Sequence, residues 1–190
     1  MKFKNTVFEK IVNRKSVFQG KYLALQTLVV KLPDGRLGER EIVRVKDAVA
    51  VLPLDNDGNV HLVRQYRAAI DKTLLEIPAG LLNGDESARQ AAVRECEEET
   101  GYRPRAVTKL ITYAHAEGYS TGFMTLYIGT DLEYTGRIHL DSTEFLETVS
   151  MPYHELFNMV QENRIMDSKT ILCTLMGKSF IMKNVRTIEP

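Results

Sequence analysis

The chain has no tryptophan and two cysteines, Cys96 and Cys173, in 190 residues. A pair so far apart in a chain of this size makes no disulfide framework, so the thiols read as reduced, cytosolic residues. Histidine is equally sparse. Residues 61, 115, 139 and 154 stand apart, and none pairs with a cysteine or another histidine at zinc-ligand spacing. An excess of one charge is missing too: Lys+Arg and Asp+Glu number 25 each. Such a chain has no net field to recruit DNA or RNA, although a small anion would need only a local basic patch. No apolar run approaches a membrane span. Met1–Thr6 leads into Glu9 and Lys10 without the apolar block of a signal peptide. There is no repeat and no low-complexity segment. These absences point to a soluble, cytoplasmic protein with no nucleic-acid or membrane partner, sized for one domain or a domain with a small appendage.

What is present organises into strands and helices. Tyr22 to Lys31 and Glu39 to Val45 flank the turn Pro33-Asp34-Gly35 and read as a hairpin. A lone strand pair is marginal in water, so this N-terminal region, residues 1–45, must pack on the rest of the chain or on a second subunit. In the remainder, residues 46–190, Ala48 to Leu54 and Val60 to Arg67 flank Asn56-Asp57-Gly58-Asn59 and read as a second hairpin. Further strands are expected at Leu74–Pro78, Thr108–Tyr113, Phe123–Ile128 and Thr148–Met151, with closing helices near Tyr153–Asn163 and Ser168–Met182. Ser87–Thr100 lacks Gly and Pro and is bracketed by Ser87 as N-cap and Gly101 as C-cap, the clearest helix of the chain. Strands interleaved with helices predict a mixed α/β sandwich.

That helix carries the most informative residues. At about 100° per residue, Ala91, Ala92 and Cys96 fall within roughly 80° of Ala88 and define an inward stripe. Gln90, Arg94 and Glu97 fall on the opposite side. Glu95 and Glu99 land within about 20° of Ala88, and Glu98 about 80° away. Carboxylates one turn apart repel, and burying them unpaired costs several kcal/mol or more. Folding alone does not favour this placement; a divalent cation would, because carboxylate oxygens are the preferred ligands of Mg²⁺. The bland alternative is a solvated acidic face.

The stretch Gly80 to Tyr102 resembles the signature of the Nudix hydrolase family: Gly, five residues, Glu, seven residues, Arg-Glu, a bulky apolar residue, any residue, Glu-Glu, any residue, Gly. Gly80, Glu86, Arg94, Glu95, Glu98, Glu99 and Gly101 match every fixed position; Cys96 stands where an aliphatic residue is usual. The resemblance implies a Nudix-type α/β/α sandwich with a mixed sheet. It implies that Glu95 and Glu99 are the main metal ligands, with Glu98 a ligand or water contact and the Ala79 carbonyl completing the site. Glu86 and Arg94 would form a bracing ion pair, and Gly80 and Gly101 would serve backbone geometry. The implied cofactor is Mg²⁺, with Mn²⁺ as the alternative. A metal would neutralise a diphosphate and lower the pKa of a bound water, and a carboxylate would take that water's proton.

The resemblance extends from about Lys10 to Gly177. Phe18-Gln-Gly20, Arg40 to Arg44, Val63-Arg-Gln-Tyr-Arg67, Leu75 to Gly80 and Asp167-Ser-Lys-Thr170 look like the ADP-ribose diphosphatase branch. That branch implies a nucleoside diphosphate sugar as substrate, ADP-ribose first and GDP-mannose or another hexose derivative next, and a homodimer built by the N-terminal β-region. A non-catalytic nucleotide-binding module is the reading of another class. Arg44, Arg67 and Arg64 are candidates for phosphate or ribose, since guanidinium forks suit phosphate; Glu76 is a candidate for the sugar or base. Phe18, Tyr22 and Tyr66 could stack on a purine, but core packing is the expectation for each. One departure stands out. The branch usually carries Ser-Pro-Gly and, four residues after that Gly, a catalytic Glu. Here the segment is Ala116 to Gly122, with Glu117 in place of Pro and Gly122 in place of Glu. The general base is therefore open among Glu117, Glu98 and the stretch Asp141, Glu144, Glu147, with Glu98 favoured beside the metal ligands and Glu95 also in the catalytic set.

Overall fold

The computed structural model describes residues 7–140 and 145–184. Asp141 and Glu144 lie outside them, as does the N-terminal Met1–Thr6. The chain divides into two compact units: one runs up to Asp47 and takes in Tyr113–Phe123, the other holds Ala48–Thr112 and the chain from Met124 on.

The first unit is an antiparallel sheet of β1 (Lys10–Gln19), β2 (Leu23–Lys31) and β3 (Leu37–Val45), in that order. β2 and β3 form the expected hairpin, with Leu23 opposite Val45 and Lys31 opposite Leu37. Its turn closes through the Gly35 amide, which donates to the Leu32 carbonyl at 2.9 Å with φ at 91°. β1 was not anticipated. Its register on β2 shifts between Ile11 and Asn13 and again between Ser16 and Phe18. Each irregularity breaks the alternation by which a strand announces itself. Every residue of β1 is exposed. The segment from Tyr113 to Phe123 adds to this unit: the Val43 amide donates to the Tyr119 carbonyl at 2.7 Å, and the Thr121 amide donates to Val43 at 3.1 Å.

The second unit begins with β4 (Ala48–Pro53), β5 (Asn59–Arg67), β6 (Lys72–Glu76) and β7 (Ala79–Leu81), then α1 (Ala88–Thr100). β8 (Tyr102–Ala114), β9 (Phe123–Tyr134), β10 (Leu146–Pro152), α2 (Tyr153–Gln161) and α3 (Ser168–Asn184) follow. One sheet runs β7-β4-β9-β8 and a second runs β10-β5-β6. The mixed α/β architecture is as expected, but the second hairpin is not. β4 and β5 share an isolated bridge between Leu54 and Val60 and otherwise lie in different sheets. β4 pairs parallel with β9 and antiparallel with β7, and Val49, Ala50, Val51 and Leu52 are all fully buried. A strand covered on both faces suits the interior of a sheet rather than the arm of a hairpin.

α1 packs on this sheet through a core of Val49, Val51, Ala91, Ala92, Cys96, Val107 and Tyr127. Its ends are as the sequence suggests. Ser87 and Gln90 form a reciprocal capping box, and Gly101 ends the helix in the left-handed region at φ 76°. Glu97 departs from expectation: it is buried, because the chain beyond β9 folds over the helix end. The Thr135 amide donates to the Gly101 carbonyl at 2.9 Å and the His139 amide to that of Glu98 at 3.0 Å. Arg103 Nη1 donates to Glu97 Oε2 at 2.5 Å. Among the described residues no helix is long and apolar enough to cross a membrane.

Candidate active site

α1 turns Glu95 and Glu99 inward, where they are 9% and 4% exposed. What admits the Glu95 carboxylate is the bare backbone of Gly80: a Cβ built there would lie 2.0 Å from Glu95 Oε1. Any side chain at residue 80 would fill the space the carboxylate now takes. Glu99 Oε2 accepts from the Ala79 amide at 3.4 Å. The short strand β7 and the inward face of α1 thus bring Ala79, Gly80, Glu95 and Glu99 together.

Arg94 gathers the remaining acids. Its Nε and Nη2 donate to the two oxygens of Glu86 at 3.0 and 2.7 Å, and Nη2 also reaches the Leu81 carbonyl at 3.2 Å. Its Nη1 bridges Glu95 at 2.7 Å and Glu98 at 2.8 Å. One guanidinium therefore ties the loop before the helix to three carboxylates. The hydrogen bonds from Arg94 hold the Glu86 carboxyl below its ordinary range, and those bonds and charges hold Arg94 firmly protonated. Among the described residues no three His, Cys, Asp or Glu side chains already converge as a metal cage. The donor set nevertheless fits a hard divalent cation. It is all oxygen, two of its carboxylates are buried, and the Gly80 cradle keeps Glu95 against β7. A metal taking Glu95 and Glu98 would compete with Arg94 Nη1 for their oxygens.

A second charged cluster lies in the same unit. Glu76, 1% exposed, accepts from Arg67 Nε at 2.7 Å and from Nη2 at 2.6 Å, and also from Lys169 Nζ. Lys169, itself 7% exposed, also donates to Asp167 at 2.9 Å. Asp167 caps α3 through the Thr170 amide at 2.9 Å, and the Thr170 hydroxyl accepts from the Ile77 amide at 2.8 Å. Burial pushes the Glu76 carboxyl up, but the bonds and charges of Arg67 and Lys169 outweigh it and hold the group below its usual value. The sequence picked out Arg67 and Glu76 as ligand contacts and did not anticipate that they grip each other. Lys169 drew no role at all, although a lysine two residues after an N-capping Asp was the available signal.

The other candidates are dispersed. Arg64 is exposed and donates to Glu147 at 2.9 Å. Tyr66 is exposed, with its hydroxyl on Asp71 at 2.5 Å, and Phe18 and Tyr22 are exposed too, so none of the three packs in the core as expected. In the first unit, Arg44 shares a groove of about 340 Å³ with Lys21, Tyr22 and Lys46. Glu117 is exposed in the loop after β8. Gly122 is confined: a Cβ there would meet Val45 Cγ2 at 2.6 Å and His115 Cε1 at 2.9 Å. A thiol nucleophile is excluded, since burial pushes both Cys96 and Cys173 up to about 12.

A model described as the NUDIX domain matches residues 44–171. The chain belongs to the Nudix family. A methanol dehydrogenase activator of Bacillus methanolicus is 37% identical over 165 residues, 86% of this chain and 89% of that protein. An ADP-ribose pyrophosphatase of Bacillus subtilis (strain 168) is 32% identical over 163 residues, 85% and 88% of the two chains. The crystal structure of an ADP compounds hydrolase superposes with a TM-score of 0.83 over 97% of this chain and all of that one, at 21% identity. The family expected from the Gly80–Tyr102 signature and the branch expected from the segments around it are borne out, and with them a Nudix hydrolase of the α/β class. Nudix hydrolases generally need divalent metal ions.

Proposed function

We propose that this Nudix protein hydrolyses ADP-ribose to AMP and ribose 5-phosphate, with Mg²⁺ as its metal and Mn²⁺ as a substitute. The observation that carries the reading is the Gly80 cradle, which keeps a buried carboxylate, Glu95, against the backbone beside Glu99. Burial of two such acids serves no packing purpose and suits a cation of high charge density. The ADP-ribose pyrophosphatase relative supports the substrate. Glu95 and Glu99 would hold the metal, with Glu98 and the Ala79 carbonyl. When bound, the metal neutralises the diphosphate and lowers the pKa of a water. Glu98, half-buried at the flank of the helix, accepts the proton of the attacking water, with Glu117 as the alternative. Glu147, exposed and paired with Arg64, is the weaker candidate. Arg67 steadies the phosphates, and Glu76 acts by orienting Arg67 rather than by touching the sugar.

The chain acts in the cytoplasm as a homodimer. Its first unit supports this: Ile11, Val12, Val17 and Phe18 are exposed on β1, a load of apolar surface that a second copy would cover. Incubating the protein with ADP-ribose, ADP-glucose, GDP-mannose and NADH, with Mg²⁺ and with a chelator, tests the reading. Metal-dependent release of AMP and ribose 5-phosphate is the expected result. Preference for GDP-mannose would move the substrate to a hexose derivative. Binding without turnover across the panel would make the protein a nucleotide-binding module.

A further inference from the structure

The Asp167–Thr170 segment belongs to the recognisable pattern, yet the hydrolytic site leaves it unused. In the fold it stands behind Arg67. Glu76 is the most buried of the three, its side chain 1% exposed, and it is held between Lys169, 9% exposed, and Arg67, 40% exposed. A core filler would be apolar; a lysine this buried must be paired. Lys169 is paired twice, to Glu76 and to Asp167. Glu76 in turn presents both oxygens to Nε and Nη2 of Arg67, which fixes the plane of the guanidinium and leaves the Nη1 edge outside that pairing.

We propose that Lys169 is a positioning residue: it neutralises Glu76 and Asp167 from the interior, so that the oriented Arg67 fork can present its charge to a substrate phosphate. The proposal rests on the reading of Arg67 as a phosphate contact. Without Lys169, Arg67 would be left to offset Glu76 and Asp167 by itself, in addition to Glu99, because all three carboxylates act on it electrostatically. It would then be drawn inward and an incoming anion would find its charge already taken. Thr170 completes the device by holding the Ile77 amide, so that the end of β6 cannot shift to compensate.

The test compares wild type with Lys169→Met, Arg67→Met, the pair Arg67→Met/Lys169→Met and the charge-balanced pair Lys169→Met/Asp167→Asn. Asparagine caps a helix as well as aspartate does, so the last variant removes one charge of each sign and keeps α3. Lys169→Met raises the KM for ADP-ribose about tenfold, the worth of one charge-assisted hydrogen bond, while kcat stays within about threefold. Adding Asp167→Asn restores the KM, and adding Arg67→Met to Lys169→Met gives no more loss than Arg67→Met alone. The Arg67 Nε–H signal in ¹H–¹⁵N spectra, identified by its absence in Arg67→Met, shifts on titrating wild type with ADP in chelator and stays still in Lys169→Met. Losses that multiply, a KM that Asp167→Asn does not restore, or a Lys169→Met variant that loses only thermal stability overturns the proposal. Where Lys169→Met alone does not fold, Asp167→Asn alone decides: relieved of one carboxylate, the cluster binds ADP-ribose about threefold tighter by KM, and an unchanged KM overturns the proposal. If wild type cleaves no nucleotide diphosphate yet ADP moves Arg67 in a Lys169-dependent way, the hydrolase reading fails and the positioning role stands. If wild type cleaves ADP-ribose while ADP leaves Arg67 unmoved, the positioning role fails alone.

Discussion

Two buried acid clusters in the second unit solve the same electrostatic problem in opposite ways. Around Glu76, one carboxylate draws two cations, Arg67 and Lys169, and the group is compensated within the protein. On α1 and the loop before it, one cation is divided among three carboxylates, Glu86, Glu95 and Glu98, with Glu99 inward beside them. With Asp167 also on Lys169, two carboxylates meet two cations, so the first arrangement is complete as it stands and has little to gain from a further cation. The second is under-compensated in a place where burial makes charge expensive, so it gains most from an external cation. Acidic residues alone do not distinguish a metal site from a structural cluster; the ratio of carboxylates to resident cations does.

That contrast can be broken by experiment. Glu99→Gln removes a ligand from the under-compensated side, and Mg²⁺-dependent turnover should fall by about 100-fold or more while the fold survives. Near-full activity would remove the metal-ligand argument. Arg94→Met takes away the cation shared by three acids and should cost about 3 kcal/mol of stability by denaturant melt, part of it recovered on adding Mg²⁺. Gly80→Ala places a Cβ 2.0 Å from the Glu95 carboxylate and should weaken Mn²⁺ binding about tenfold, read by titration, with a smaller loss of stability. Unchanged affinity would show that the cradle does not hold Glu95 for a metal. The smallest effect is in pH. Glu76 and Glu86 are held below the ordinary glutamate value of 4.5, so each contributes stability that is present above that pH and lost as pH falls through the depressed value. Burial also holds His61 below its ordinary 6.5, so thermal melts should begin to decline gently below about pH 6.5 and fall more steeply below about 5, the second phase less steep in a Glu76→Gln variant.

How much of this was legible in the sequence depended on distance along the chain. α1, its two caps and the inward Glu95 and Glu99 could be read because a helix is local and its period places residues four apart on one face. The seven fixed signature positions lie within Gly80–Gly101 for the same reason. β4 could be recognised as a strand, but its partners are Ala79–Leu81 and Met124–Gly129, and no periodicity in residues 48–53 names them. The Lys169–Glu76 contact spans 93 residues, which is why Glu76 looked available to a ligand when it is occupied. β1 escaped notice because its two register shifts disrupt the alternation that a strand reading relies on. Glu97, expected on the outer face of α1, is covered by a segment about 40 residues further on.

The confinement of Gly122 bears on how this protein can change. A glutamate at that position would drive its first carbon into Val45 and His115, at 2.6 and 2.9 Å. The neighbouring backbone is pinned through Val43 to Tyr119 and Thr121, so the loop has little room to yield. Restoring an acid at residue 122 by one substitution therefore leads downhill in fitness before it can lead up. The route opens when residue 45 shrinks and the His115 ring turns aside, and the first of these steps brings no benefit by itself. A library of single replacements would miss the gain, and one pairing Gly122→Glu with Val45→Ala is where to look for it.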